Sequence, residues 1–220
     1  MTVAQISLPN KFYVNKDTDT SMTSLLEFIE YLKSIGAENC FLAGGALRCA
    51  VDGKEKIEDF DLFFRNKEDA SRLEKKLIER FGSPVFKCPL GLLTTFKKDK
   101  VKVQLITEKI YYSGEELIAT FDITAGKLYV DFLDLSQDNP FADPCVVTTL
   151  ETIKDIHDKK VRLGNVTYPK ATMKRVMKYN NKGYSVPNET IDKLISAVVS
   201  LSQTDPNFSS NEGPWRFYID

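Results

Sequence analysis

The sequence is poor in the residue types that mark secreted, membrane-spanning and metal-thiolate proteins. It holds four cysteines in 220 residues (Cys40, Cys49, Cys88 and Cys145), and none of them have the paired spacing of a zinc site. Scattered thiols of this kind are typical of reduced core residues, so we expect a cytoplasmic protein without disulfides. The first residues do not form a basic-then-apolar leader, and no apolar run approaches ~18 residues, so we expect neither export nor a membrane span.

Histidine and net charge are also scarce. The single histidine, His157, lies among charged residues, which favours a solvated helix face over a Ser-His-Asp or Cys-His mechanism. The formal net charge is −1, so no global field draws the chain to nucleic acid, and any such contact requires a local patch. The sequence also lacks internal repeats and low-complexity tracts.

A pair of glycines lies in the most informative stretch, residues 39–65. An apolar run over 40–43 ends in Gly44 and Gly45, and a short helical pattern that carries Arg48 follows. Glycines at such a place let the backbone approach a phosphate closely, and the amides at the start of the next helix point towards anions. Arg48 follows the glycines by one helical turn, which favours phosphate contact; a surface ion pair is the alternative.

Two aspartates, Asp59 and Asp61, lie in a second apolar run over 58–64. Alternate side chains of a strand share a face, so both carboxylates would point the same way while Phe60 and Leu62 point into a core. Such a pair repels unless a cation lies between its members, and it suits Mg²⁺, which takes one or two carboxylates plus substrate phosphates. A phosphate cradle and a metal-binding carboxylate pair are the two halves of a phosphoryl- or nucleotidyl-transfer site.

The stretch resembles the head of the DNA polymerase beta-like nucleotidyltransferase superfamily, and within it the CCA-adding enzyme and poly(A) polymerase family. The resemblance implies an α+β fold, with a nucleotidyltransferase head built on a mixed sheet and followed by a small helical neck. The matching motifs are the diglycine motif at Gly44-Gly45-Ala46-Leu47-Arg48, which departs from the family at Cys49, and the Asp-x-Asp motif at Asp59-Phe60-Asp61.

Two later segments extend the resemblance to about residue 200. Residues 121–126 match the family's ribose-holding motif in part and keep its aspartate as Asp122, which a helix or turn cap would explain equally well. A basic, neck-like pattern begins at Pro169, although a charge run is ordinarily a solvated helix face. The resemblance implies nucleotide binding by residues of the head and the neck: Gly44, Gly45, Arg48, Asp122, Lys174, Arg175 and Lys178.

The sequence departs from the family at two functional positions. The neck motif that reads the incoming base has no match around Pro169. The third carboxylate of the wider superfamily is replaced by Gln104 on the best-patterned strand, and a neutral amide is neither a general base nor a strong Mg²⁺ ligand. Asp122 and Glu108 are the other candidates for that carboxylate.

The alternation of helical and strand patterns in the first half of the chain predicts a head with a mixed sheet. We expect the head over 1–144, a helical neck-like segment over 145–205 and an irregular tail over 206–220. The patterns predict helices over 21–36, 45–51, 67–80, 113–119, 146–160, 169–181 and 188–201, and strands over 11–14, 40–43, 58–64, 84–88, 92–97, 101–107 and 129–133.

The leading functional hypothesis is the Mg²⁺-dependent transfer of a nucleoside monophosphate from an NTP, such as ATP, to an acceptor hydroxyl, with release of pyrophosphate. Asp59 and Asp61 would be the catalytic residues and the metal ligands. The acceptor would be an RNA 3′ end, with tRNA as one candidate, or a protein hydroxyl. Two competing hypotheses are a nucleotide- or RNA-binding module of the same fold without catalysis, and a structural or partner-binding protein.

Overall fold

A computed structural model describes residues 3–7, 25–53, 57–135 and 144–204 of the chain. Within these ranges the fold is mixed α/β, with one sheet of eight strands and seven helices. The strands are β1 (Val3–Ser7), β2 (Cys40–Ala43), β3 (Phe60–Phe64), β4 (Phe86–Lys87), β5 (Leu93–Lys98), β6 (Val101–Ile106), β7 (Leu128–Asp131) and β8 (Cys145–Thr149). The helices are α1 (Leu25–Ser34), α2 (Gly45–Asp52), α3 (Lys67–Phe81), α4 (Gly114–Ala119), α5 (Leu150–His157), α6 (Pro169–Asn181) and α7 (Asn188–Thr204).

The strands follow the order β1-β8-β7-β2-β3-β6-β5-β4 across the sheet. Strands β2 and β3 are antiparallel neighbours at its centre, with Ala43 opposite Asp61. Strand β3 pairs with β6 in parallel, with Asp61 opposite Gln104, whereas the other described strand pairs are antiparallel. The start of β3 and the start of β6 therefore meet at one end of the sheet, beside the end of β2.

The sheet packs different residues on its two faces because side chains alternate along each strand. On one face Leu62 and Leu105 join the larger core, which includes residues of α1, α2 and α3. On the other face Phe63 and Ile106 join a smaller core with residues of α4. Asp61 and Gln104 lie two residues before these, so they belong to the face with the smaller core.

Several predicted helices are confirmed, and their ends have the expected chemistry. Helix α3 begins after Asn66, whose side chain accepts a hydrogen bond from the Asp69 amide, and it ends at Gly82, which has a positive φ. Helix α2 ends at Gly53 in the left-handed region, which glycine adopts readily. Helix α6 begins at Pro169, where a missing N–H has no cost.

The predicted helix over 146–160 is wrong in its first part. Residues 145–149 form strand β8, which pairs with β7 and β1, and only Leu150–His157 is helical. Two β-branched valines and two threonines precede Leu150, and such residues favour a pleated, half-buried strand. The strand Val3–Ser7 was not among the predicted strands.

Other sequence predictions differ in extent or lie outside the described residues. Strand β4 has two residues where five were predicted, and β3 begins at Phe60, so Asp59 precedes the strand. The predicted strand over 11–14 and the tail over 206–220 lie outside the described residues. The division into head (1–144) and neck (145–205) stays a prediction, and β8, on the neck side of that boundary, is hydrogen-bonded into the sheet. Among the described helices, none has both the length and the apolar character needed to cross a bilayer.

Candidate functional site

A cavity of about 620 Å³ opens at the end of the sheet where β2 ends and β3 begins. The turn after β2, the start of β3, the segment around Asp122 and one face of α6 contribute its walls. Of the nine sequence-predicted site residues, eight line this cavity. They are Gly44, Gly45, Arg48, Asp59, Asp61, Asp122, Arg175 and Lys178.

The diglycine turn connects β2 directly to α2. Gly44 has φ 81° and ψ −130°, a conformation that side chains rarely adopt, so the backbone itself requires glycine there. Gly45 is the first residue of α2, and a Cβ at this position would meet no atom within 4 Å. The start of α2 is therefore open at Gly45, and the first amides of a helix, which lack intrahelical acceptors, give this end of the helix a partial positive charge.

The two aspartates share the cavity with the glycines. Asp61 lies within β3, opposite Ala43, the residue before the diglycine turn. Asp59 precedes the strand by one residue. Only 9% of Asp59 and 4% of Asp61 is exposed, so the strand ends hold both carboxylates in a largely dry wall.

Two residues of β6 complete this wall. The ammonium of Lys102 lies 3.2 Å from Oδ2 of Asp59. Gln104 is fully buried opposite Asp61, and its Nε2 lies 3.5 Å from the hydroxyl of Thr95. Sequence analysis identified Gln104 but missed Lys102. The signal was present, because Lys102 and Gln104 alternate on one face of a recognisable strand.

The side chain of Arg48 extends towards α6 and packs against the rings of two tyrosines. Only 2% of the residue is exposed. Its guanidinium lies 4.9 Å from the ring centroid of Tyr179 and 5.6 Å from that of Tyr184, and it donates a 3.2 Å hydrogen bond to the Tyr184 hydroxyl. Burial raises the pKa of Tyr179 to about 12, although the charge of Arg48 opposes this shift. Phosphate contact by Arg48 stays a prediction.

Asp122 and Arg175, both predicted to bind nucleotide, form a salt bridge with each other. Nη2 of Arg175 lies 2.7 Å from Oδ2 of Asp122, and Nε lies 2.9 Å from the same oxygen. The hydroxyl of Thr172 donates a further hydrogen bond to this carboxylate, at 2.5 Å. Asp122 therefore connects the segment before the 3₁₀ turn to α6, and neither the predicted ribose contact nor a predicted cap includes this role.

Two further ion pairs connect Glu58, the residue before Asp59, to α6 and to the residue that follows it. The Glu58 carboxylate lies 3.3 Å from the ammonium groups of both Lys178 and Lys182. Burial works to raise the pKa of Glu58, but the charges of Lys182 and Lys178 outweigh it, so this pKa is lowered. Lys174 is exposed and does not line the cavity.

A buried hydrogen-bond network fixes the segment that follows Asp122. The hydroxyl of Thr124 is hydrogen-bonded to the carboxylate of Asp155, which is fully buried on α5 and lies 3.3 Å from Nη1 of Arg162. Burial raises the pKa of Asp155. This network holds the single 3₁₀ turn Thr124–Gly126, so it positions Asp122 from behind the cavity wall. Sequence analysis missed Asp155 because its segment was interpreted as an exposed helix.

The oxygen ligands in the cavity suit a hard cation that is also coordinated by substrate phosphates. Asp59 and Asp61 supply carboxylate oxygens, which Mg²⁺ prefers, and Mg²⁺ commonly completes its shell with waters and substrate phosphates. No group of three or more histidine, cysteine, aspartate or glutamate residues that could hold a metal occurs in the described part of the chain. The pair therefore fits a cation held jointly with a phosphate better than a metal enclosed by protein ligands.

The model of the family described as "Gabija anti-defense 2 family protein" matches residues 18–159, which is more than half of the chain. The chain belongs to the Gabija anti-defense 2 family. A curated relative, the Gabija anti-defense 2 protein of Bacillus phage SPbetaL7, is 23% identical over 175 residues. The match covers 79% of this family member but only 40% of the relative's length.

Solved structures similar to this Gabija anti-defense 2 family protein are tRNA-processing nucleotidyltransferases. The Thermotoga maritima CCA-adding enzyme complexed with tRNA has a TM-score of 0.61 at 13% identity, over 99% of this chain and 53% of that one. A tRNA nucleotidyltransferase complexed with a primer tRNA and an incoming ATP analogue has a TM-score of 0.56 at 20% identity, over 81% and 52%. These similarities confirm the polymerase beta-like nucleotidyltransferase fold that the motifs predicted.

Proposed function

We propose that this chain is a nucleotidyltransferase, which moves a nucleoside monophosphate from an NTP to an acceptor hydroxyl and releases pyrophosphate. One observation carries the proposal: the diglycine turn and the carboxylates of Asp59 and Asp61 line the same cavity, at adjacent ends of β2 and β3. A cradle for phosphate oxygens and a pair of cation ligands then face a common space. The nucleotidyltransferase fold supports this assignment.

In this proposal, Asp59 and Asp61 hold Mg²⁺. When bound, the cation supplies Lewis-acid stabilisation of the charge that develops on the transferred phosphoryl group. Gly44 and Gly45 let the backbone lie close to the terminal phosphates, and the first amides of α2 donate hydrogen bonds to them. The low exposure of both aspartates keeps the carboxylates away from bulk water, which strengthens their interaction with a cation.

The acceptor is proposed as an RNA 3′ end, because the similar nucleotidyltransferases were solved with tRNA. The family description, Gabija anti-defense, supports a second acceptor class, a protein hydroxyl on a component of the Gabija system. The chain spans about two fifths of the length of the curated relative. The choice between the two acceptors is therefore made by the experiment.

A second candidate function is a module that binds nucleotide without turnover. Two observations on β6 favour it: the buried, neutral Gln104 stands opposite Asp61, and Lys102 already pairs with Asp59. A neutral amide cannot accept the proton of an attacking hydroxyl as a carboxylate can. This candidate predicts Mg²⁺-dependent NTP binding with no transfer of label.

The test is incubation of the protein with Mg²⁺, each of the four α-³²P-labelled NTPs, bulk RNA and an extract of cells that carry the Gabija system. The proposed enzyme transfers label to RNA or to a protein band, and the variant with Asp59→Asn and Asp61→Asn does not. Asp192→Asn, an exposed aspartate on α7, is the matched control and retains transfer. Calorimetry with ATP and Mg²⁺ separates the two candidates, because binding without label transfer supports the second. Absence of both binding and transfer contradicts both.

A further inference from the structure

The ammonium of Lys102 contacts one member of the carboxylate pair, and the sheet determines its place. It lies 3.2 Å from Oδ2 of Asp59, and the two side chains are 31% and 11% exposed, respectively. Strand β6 runs parallel to β3 with Val103 opposite Phe60, so residue 102 stands beside residue 59. Register, more than the flexible lysine stem, therefore brings this ammonium to the carboxylate.

The neighbouring strand adds an unfavourable charge at the same level of the sheet. Lys97 on β5 stands directly opposite Lys102, and like charges directly opposite each other destabilise a strand pair. A lysine placed there for stability alone would gain little from the site, because its contact with Asp59 is offset by the repulsion from Lys97. The arrangement is better explained by a charge requirement of the cavity.

A count of charges gives that requirement. Among the residues that stand side by side on or next to β3 and β6, Asp59 and Asp61 contribute two negative charges, Lys102 contributes one positive charge, and Gln104 contributes none. A single divalent cation shared by the aspartates is attracted by both carboxylates and repelled by one ammonium. A second divalent cation on Asp59 would lie beside both the first ion and the ammonium, with no further carboxylate on β6 to balance it.

We propose that Lys102 occupies the place of a second cation at Asp59, so that the carboxylate pair takes one divalent ion together with the nucleotide. This inference rests on the proposed function, because it assumes that the pair binds a metal–NTP complex. Lys102 is then a residue that determines how many metal ions the site accepts, and it acts through Asp59.

The test counts Mn²⁺ ions bound per chain by electron paramagnetic resonance. The titration includes one equivalent of an ATP analogue with a methylene group between its α and β phosphorus atoms. Wild type is expected to bind one Mn²⁺ and Lys102→Met two. The dissociation constant of the second ion is expected to be at least about tenfold lower in Lys102→Met than for any second, weaker binding in wild type. Lys102→Arg keeps the charge and is expected to bind one. Lys102→Gln serves if Lys102→Met does not fold, as judged by circular dichroism.

The matched control is Lys97→Met, which removes a lysine of the same strand pair that does not contact Asp59, and it is expected to bind one ion. Two ions in wild type, one ion in the charge-neutral Lys102 variants, or equal changes in the Lys97 and Lys102 variants would each overturn the inference. Wild type with two ions that are lost in Asp61→Asn would leave the proposed function standing. Absence of Mn²⁺ binding in every variant would remove the proposed function and this inference together.

Discussion

The acidic and the basic walls of the cavity are held in place by different means. Asp61 lies within a central strand, where backbone hydrogen bonds on both sides of β3 fix its position, and Asp59 directly precedes that strand. Arg175 and Lys178 reach the cavity from α6 and are held by ion pairs to Asp122 and Glu58. The sheet therefore sets the position of the acidic wall before a ligand binds, whereas a ligand that uses Arg175 or Lys178 competes with Asp122 or Glu58.

The largest effect is expected from a substitution in the acidic wall. Asp61→Asn keeps the shape of the side chain but removes its charge, and loss of cation stabilisation of several kcal/mol lowers label transfer by roughly 10²- to 10³-fold. The measurement is the initial rate of transfer from α-³²P-labelled NTP at saturating Mg²⁺. Unchanged transfer in this variant would show that the carboxylate pair is not the catalytic centre.

The next effect concerns Arg48, the arginine of α2 that packs against Tyr179 of α6. Arg48→Ala leaves an empty space between Tyr179 and Tyr184 and removes a buried hydrogen bond, so the free energy of unfolding is expected to fall by about 2 to 4 kcal/mol. Urea denaturation measures it. Arg72→Ala, on the exposed face of α3, is the control and is expected to change stability by about 0.5 kcal/mol or less. Equal effects of the two variants would contradict a structural role for Arg48.

A double-mutant cycle sharpens the comparison on the basic wall. Asp122→Asn, Arg175→Gln and the double variant are expected to give a coupling free energy of about 1 to 3 kcal/mol in urea denaturation, because the pair has charge-assisted hydrogen bonds. NTP affinity, measured by calorimetry, is the second readout. If Arg175→Gln weakens NTP binding much more than Asp122→Asn does, the arginine changes partner when nucleotide binds.

The smallest expected effect is a dependence on pH at Glu58. Its pKa is lowered in the folded protein, so its contribution is fully present above pH 4.5, the ordinary glutamate pKa, and is lost as the pH falls through the lowered value. The side chain is 53% exposed, so solvent limits the contribution to about 1 kcal/mol or less. Urea denaturation of wild type and Glu58→Gln should give curves that converge at low pH. A difference that grows on acidification would contradict the assignment.

The two walls also differ in how far the sequence predicted them. The acidic wall and the turn beside it follow from local patterns. Gly44 and Gly45 come directly after a short apolar strand, and Asp61 alternates with apolar residues within the next one, so the two-residue period of a strand predicts the face on which its side chain lies. The partners of Arg175 and Lys178 lie 53 and 120 positions earlier in the chain, at Asp122 and Glu58. No local pattern encodes such pairings, so the sequence predicted Asp122, Arg175 and Lys178 at the cavity but not the ion pairs that Asp122 and Glu58 form with these basic side chains.

Local patterns failed for β8 and for Lys102 for a related reason. Residues 145–149 read as the start of a helix because the helical pattern of α5 follows without a break, and only pairing with β1 and β7 makes them a strand. Lys102 was visible as an ordinary polar position of β6. Its significance arises from the parallel register with β3, which is a property of the whole sheet.

The parallel pairing of β3 with β6 has a consequence for the order in which the molecule assembles. Lys102 and Asp59 are 43 positions apart, and α3 and the strands β4 and β5 lie between them in the chain. A contact that closes such a large loop is slow to form, whereas helix α3 and the β5–β6 hairpin need only short-range contacts. We expect the amides of α3 and of this hairpin to become protected from hydrogen exchange before those of β3 during refolding. The proposed metal-binding carboxylates would then acquire their lysine neighbour late.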